Sequence, residues 1–293
     1  MVASFCFCVD AGATGSRARL FDAAGSVLGS AASGPANASY DVEQAVGSVL
    51  DLWRQLADAC EIAASNVILS IGGAGLYAPR ARDGFVSRLP SFGRVITMSD
   101  GYAALLGAGQ GQPCALVTIG TGVAGHRLFA DGTSIQKDAL GWVVGDRGGG
   151  CWFGTMALRH AMEVWDGLLP PSALSVAVLA KLGGWEGMIG GGLAGLNAHR
   201  LAEYAPLVLA QAKDGCPVAS DILSRGVTYL AQLIGVLKCE DVPLYLAGGL
   251  SAPLRPMILD LIGRHVDEPR GGPLEGCLLV ALGKAPEERM IHG

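Results

Sequence analysis

The chain has 293 residues, of which 51% are hydrophobic and 16% charged, and its formal net charge is -5. That length suits two domains with an ample apolar interior. The lack of a basic cluster or a basic–aromatic stripe argues against nucleic acid as the partner, and no apolar run reaches the roughly 18 residues that span a bilayer.

Residues 1–5 carry no basic stretch ahead of their apolar run, so they read as part of a buried strand and not as a signal peptide. Segments 4–10, 17–22 and 26–32 are short, apolar or mixed, and parted by Gly-containing turns. The tip between the first two, Val9-Asp10-Ala11-Gly12-Ala13-Thr14-Gly15-Ser16-Arg17-Ala18-Arg19, is built to approach an anion. Its glycines let backbone amides come close to phosphate oxygens, Thr14 offers a hydroxyl, and Asp10 suits a hydrated divalent cation. The same pattern also serves as a plain turn. Asn37, in Gly34-Pro35-Ala36-Asn37, is either a turn residue or an amide for sugar hydroxyls.

Apolar positions at helical spacing (Val42, Ala45, Val46, Val49, Leu52, Trp53, Leu56) predict an amphipathic helix over 41–63. Residues 67–71 and 94–98 read as strands. Asp100 follows the second of these, at a small-residue helix start, where Ser99 or Asp100 is an N-cap or Asp100 is a general base. A second strand–turn–strand unit begins near Cys114. Residues 115–119 run into Gly120-Thr121-Gly122, and a return strand reaches Phe129, repeating the layout of the first unit. Asp146 lies in the Gly- and Trp-rich stretch 141–150, whose composition is costly in backbone entropy and implies a shaped loop; Trp142 there either packs or serves the site. Helical patterns cover 150–166, 199–213 and 217–238. Residues 183–195 read as a loop. A late strand, 242–247, ends at Gly248-Gly249, and a last helix covers 274–282.

Several familiar chemistries are missing. Gly283-Lys284 is followed by Ala285 where a P-loop needs Ser or Thr, and neither HExxH nor GxSxG occurs. The eight cysteines (Cys6, Cys8, Cys60, Cys114, Cys151, Cys216, Cys239, Cys277) are scattered, mostly in apolar runs, with no CxxC and no zinc spacing. They read as reduced structural residues of a cytoplasmic protein. What remains is acids and glycines at the C-terminal ends of apolar strands, where α/β sheets bind ligands.

Residues 10–19 resemble the first phosphate motif of the sugar kinase/heat-shock chaperone/actin superfamily. Gly120-Thr121-Gly122 resembles its second phosphate motif, and Leu246-Ala247-Gly248-Gly249-Leu250 its adenosine motif. Five further details are similar to the BadF/BadG-type ATPase family and its glucosamine and N-acetylglucosamine kinases. They are Thr14-x-x-Arg17-Ala18-Arg19, Gly34-x-x-Asn37, Ser99-Asp100, Gly145-Asp146-x-Gly148 and Leu274-Glu275-Gly276, and their order spans nearly the whole chain. The resemblance implies an α/β fold of two ribonuclease-H-like lobes, 1–109 and 110–273, with a terminal helix from about 274 packing back on the first. Between them it implies a cleft for Mg-ATP and an amino sugar, with closure on the sugar. It makes Asp100 the general base and gives Asp10 a magnesium ion through water. Gly12, Thr14, Arg17, Gly120, Thr121 and Gly122 would cradle the phosphates, Gly248 and Gly249 the nucleoside, and Asn37, Gly73, Ala74, Asp100 and Asp146 would contact the sugar. A homodimer is expected.

The chain departs from the family pattern at Val123, where Ser is usual, at Arg147, where an acid or amide is common and which favours an anionic substrate, and at Gly149. Gly72-Gly73-Ala74-Gly75 keeps the small residues but not their polar neighbours. Two other classes share the fold: an ATPase activating an acyl-CoA dehydratase or reductase through an iron–sulfur cluster, and a non-catalytic sugar sensor. The first needs exposed cysteines, and the second has no use for a base. A zinc-containing sugar kinase is disfavoured by the missing cysteine cluster.

Overall fold

The computed structural model describes residues 5–291; residues 1–4, the expected head of the first strand, lie outside it. The chain opens with three antiparallel strands, β1 (Phe5–Ala11), β2 (Ser16–Asp22) and β3 (Val27–Ser33). There follow α1 (Val42–Cys60), β4 (Val67–Gly73), α2 (Pro79–Val86), β5 (Arg94–Met98) and α3 (Asp100–Gly109). The first sheet has the order β3-β2-β1-β4-β5, with β4 and β5 parallel to β1. After α3 come β6 (Cys114–Ile119), β7 (Val123–Leu128) and β8 (Ser134–Asp138), then α4 (Gly150–Trp165), α5 (Ala173–Leu182), α6 (Gly184–Gly187), α7 (Ala198–Ala202), α8 (Ala205–Lys213) and α9 (Pro217–Val236). The chain continues with β9 (Leu244–Ala247), α10 (Ser251–Ile262) and α11 (Pro273–Ala281). The second sheet has the order β8-β7-β6-β9 and repeats the hairpin layout of the first with one parallel strand fewer.

β1 is buried from Cys6 to Val9, as expected of a central strand covered on both faces, which needs no alternation of apolar and polar residues. On one face lies α1. Asp41 caps it by accepting from Gln44 N–H at 2.9 Å, and its stripe of Val46, Val49, Leu52, Trp53 and Leu56 is buried. Trp53 packs on Phe7 with ring centroids 5.2 Å apart. On the other face lies a layer shared by both sheets. Cys6, Cys8 and Met98 of the first, Leu116, Leu128 and Tyr245 of the second, and Leu105, Leu106 and Cys277 of α3 and α11 form one continuous core. The second sheet buries its far face under α4, α5, α8, α9 and α10.

α11 reaches this middle layer from the far end of the chain. Ser70 Oγ donates to Cys277 O at 2.8 Å, Cys277 Sγ lies 3.4 Å from Val9 O, and Arg19 pairs with Glu275 at 2.5 Å. Its backbone touches that of α3, for a Cβ built on Gly276 would sit 1.9 Å from Ala103 O.

The elements differ from the sequence reading in a few places. The helix expected over 199–213 is broken into α7 and α8. Pro206 has no N–H to offer, and its ring excludes a carbonyl four residues back, so the helix stops at Ala202. Residues 183–195, expected as loop, form α6 and one wide helical turn over 188–192, with Gly191 at φ 96°. The helix expected between the strands 67–71 and 94–98 is α2, whereas α5, α10 and β8 were not foreseen. All eight cysteines are free, and among the described residues no helix is long and apolar enough to cross a membrane.

Gly276→Ala forces α11 away from α3. We expect a loss of about 1–3 kcal/mol, the usual cost of overpacking, read as a lower denaturation midpoint; an unchanged midpoint would contradict the close approach.

Candidate active site

Asp10, Gly72 and Met98 sit side by side across β1, β4 and β5. Asp10 therefore lies near the C-terminal end of one strand, and Asp100 two residues past the end of another, two strand spacings or roughly 10 Å across the sheet. Ser99, not Asp100, is the N-cap of α3: its Oγ accepts from Tyr102 N–H at 3.1 Å. That leaves Asp100 at the first helical position, where its Oδ1 accepts from Gly101 N–H at 2.9 Å. Its side chain reaches solvent, and the protein around it is the main cause of its raised pKa. Asp10 Oδ2 accepts from Arg17 Nε at 2.9 Å. Burial raises the Asp10 carboxyl above its ordinary value, Arg17 opposes the rise, and the charge of Asp100 adds to it. The two carboxylates thus lie within electrostatic range of each other. Beneath them, against Gly101, lies His126 of β7, fully buried and pushed down to about 4 by that burial; it is neutral at working pH.

The loops at this edge of the first sheet are stitched together. Ala36 N–H donates to Gly12 O at 2.9 Å, Ala38 N–H to Ala74 O at 3.0 Å, and Ala74 N–H to Ala11 O at 2.9 Å. Gly12, Asn37, Gly73 and Ala74 are therefore one rigid rim, with Thr14 exposed at its tip. Asn37 spends its amide oxygen on Ser39 N–H, at 2.9 Å, inside the turn, and its NH₂ group is what remains for a ligand. Ala74 spends both backbone groups on the rim.

The second hairpin is braced from below. Gly150 and Cys151 N–H donate to Gly120 O and Thr121 O at 2.8 and 2.9 Å, and Asp146 Oδ1 accepts from Val123 N–H at 2.9 Å. Asp146 is buried against Gly122, and burial raises its pKa. Asp146 N–H donates to Asp138 Oδ1 at 2.9 Å, and Tyr229 Oη donates to Asp138 Oδ2 at 2.7 Å. Asp138, Ala139 and Asp146 all hold left-handed φ near 59°, which non-glycine residues adopt only when their surroundings insist. The shaped loop is real, though Asp146 supports the hairpin with one oxygen and leaves only Oδ2 free for a ligand. Arg147 lies with its guanidinium 4.2 Å over the Tyr229 ring, and Trp142 stands half-exposed beside Leu140, Val143 and Val144. Among the described residues no hydrogen bond or ion pair joins the two hairpins.

At the end of β9, Gly248 has φ +92°, and a Cβ there would lie 2.4 Å from Ile119 O; Gly249 faces open space. A pocket of about 480 Å³ lies between α8, α9 and α10, the helix that follows this turn, and is lined by Ala212, Lys213, Ser220, Leu223, Pro253 and Met257. Sequence reasoning missed this pocket, because its walls come from three separate helices. It also missed Glu288, whose carboxylate meets Ser99.

The carboxylates of Asp10 and Asp100, within electrostatic range of each other, are oxygen donors that fit a hydrated magnesium ion. A triphosphate fits the open glycine at Gly120, where a Cβ would meet nothing within 4 Å.

A profile of the BadF/BadG/BcrA/BcrD ATPase family matches residues 8–262. The chain is 24% identical to the glucosamine kinase of Vibrio cholerae over 277 residues, 93% of this chain and 94% of that one. The crystal structure of a proposed N-acetylglucosamine kinase from Chromobacterium violaceum superposes with a TM-score of 0.87 at 29% identity, covering 94% and 98% of the two chains. A ROK family glucokinase from Streptomyces griseus, solved with glucose and AMPPNP, shares the fold at a TM-score of 0.52 and 20% identity, over 93% and 97%.

Burial makes Asp100 titrate higher folded than unfolded. Its contribution thus favours the fold at acid pH and is lost as pH rises through the folded value. Asp100→Asn should therefore melt above the parent at pH 7, with the gap closing toward pH 4. Thermal melts across that range check it, and a variant that melts lower at pH 7 contradicts the sign.

Proposed function

The chain belongs to the BadF/BadG/BcrA/BcrD ATPase family, and from there we propose that it transfers the terminal phosphoryl group of ATP to a hydroxyl of an amino sugar, of the glucosamine or N-acetylglucosamine class. The observation that supports the reading is the pair of carboxylates, Asp10 and Asp100, at neighbouring strand ends and within electrostatic range, between a glycine-rimmed hairpin and the start of α3.

Phosphoryl transfer asks for positioning and charge neutralisation more than for covalent chemistry. Asp100 is the base. A carboxyl raised by burial is a better proton acceptor than an ordinary one. Magnesium held on Asp10 through water would, when bound, neutralise charge on the nucleotide phosphates. Arg17, now on Asp10, is placed to turn toward the same phosphates. Backbone N–H groups of the Gly12–Thr14 tip and of Gly120–Gly122 line their path, and the turn at Gly248 and Gly249, with the pocket at α10 that follows it, takes the nucleoside. The NH₂ of Asn37 and the free Oδ2 of Asp146 address the sugar hydroxyls, which the rim through Gly73 and Ala74 shapes. Nothing favours the iron–sulfur activator reading: Cys114 and Cys151 are buried, with thiols pushed up to about 12 and about 11 by that burial. The proposal extends to a cytoplasmic homodimer. Free thiols suit a reducing compartment, and the mass in solution reads the assembly.

Asp100→Asn should lower kcat by about 10²–10⁴-fold, the range for removing a general base, with ADP affinity unchanged by calorimetry. An ADP-release assay over glucosamine, N-acetylglucosamine, N-acetylmannosamine, N-acetylmuramic acid and glucose names the acceptor. Turnover at the parent rate would remove Asp100 from its role.

Ser220→Trp fills the pocket between α8, α9 and α10 from an exposed position. It should raise the KM for ATP while leaving that for the sugar in place; equal KM values for ATP would move the nucleoside elsewhere.

A further inference from the structure

Residues 283–291 form a strap that touches both sheets. Tyr102 Oη donates to Pro286 O at 3.1 Å, and Arg94 pairs with Glu287 at 2.5 Å, on the side of the first sheet. On the side of the second, Ser134 N–H donates to Arg289 O at 3.0 Å, Ile291 N–H to Ser134 O at 2.8 Å, and Arg289 Nη2 to Asp131 O at 2.7 Å. Between these two sets of anchors the strap presents Glu288. Its Oε2 accepts from Ser99 N–H at 2.8 Å and its Oε1 from Ser99 Oγ at 2.7 Å.

This is the arrangement of a capping box with its acid supplied from elsewhere. In the ordinary motif the N-cap hydroxyl accepts from the third helical N–H, and an acid at that third position reaches back to the N-cap N–H. Here the third position is Tyr102, whose N–H does reach Ser99 Oγ but whose phenol cannot return the bond. Glu288, 189 residues away, takes that part and accepts the Ser99 hydroxyl proton as well. Ser99 is buried, so both donors need a partner, and one carboxylate satisfies both.

We infer that Glu288 is a positioning residue for Asp100: by clamping Ser99 it fixes the first turn of α3 and with it the direction of the carboxylate that addresses the acceptor hydroxyl. A neutral acceptor would cap the helix without electrostatic cost. Glu288 instead presents a half-buried carboxyl close to Asp100, and both burial and that neighbour raise its pKa. The inference rests on the kinase reading of Asp100.

The test is a double-mutant cycle between Glu288→Ala and Asp100→Asn, with Glu288→Gln as the conservative variant. Glu288→Ala should lower kcat about 10–100-fold with KM for sugar and ATP held within about twofold, the pattern of a misdirected group and not of lost binding. Glu288→Gln, whose carbonyl still accepts from Ser99 N–H, should recover most of that loss. In the Asp100→Asn background, Glu288→Ala should cost nothing further, because no base is left to direct. A general structural defect would add instead. If Glu288→Ala does not fold by circular dichroism, Ser99→Ala, which removes the hydroxyl from the clamp, enters the same cycle. Additive losses, a parental kcat, or an effect confined to KM each overturn the role while leaving the kinase reading intact. A parent that phosphorylates none of the sugars removes the kinase reading and this role with it.

Discussion

Two backbones in contact hold this architecture together. α11 lies on α3 so closely that a single methyl at Gly276 would collide with Ala103 O. That contact allows one layer, a helix thick, to serve as the core of both sheets. Glycine in a helix costs conformational entropy, and here the cost is offset by burying Leu105, Leu106, Leu274 and Cys277 between the sheets. With α3 fixed in that layer, its N-terminus is held where the first sheet ends and β7 passes, with Gly101 against His126. Asp100 inherits its place from the packing behind it.

The neighbourhood this creates is electrostatically uncomfortable. Asp10, Asp100 and Glu288 are all raised by burial, Asp10 and Glu288 each feel Asp100 as a like charge, and Arg17 pairs with Asp10. A fold selected for stability alone would remove such charges. Their persistence is what a site waiting for cations and a polar acceptor looks like.

Much of this was legible in the sequence, and for local reasons. β1 and β6 announce themselves as apolar runs broken by an acid or by glycine, and the helices 150–165 and 217–236 carry a strong period. The acids at strand ends stood out because nothing apolar explains them. Other features depend on residues far apart. Glu288 has no signal of its own until Ser99 is folded beside it. Largely apolar α5 hides its period, α10 carries Pro253 and Pro256 where a helix is least expected, and Pro206 breaks a pattern that otherwise runs on. The loop around Asp146 was visible as a loop, but its support of Val123 and the stacking of Arg147 on Tyr229 were not. Arg147 suggested an anionic substrate, and an aromatic ring already occupies its face.

The cysteines carry a last consequence. Seven are sealed in the interior, and only Cys60 is partly open. Alkylating reagents and oxidants would find a single partly accessible sulfur on the native molecule and reach the others only as fast as the packing breathes. The protein therefore carries its own clock for internal opening, spread through the shared layer at Cys6, Cys8, Cys114 and Cys277 and through the second lobe at Cys151, Cys216 and Cys239.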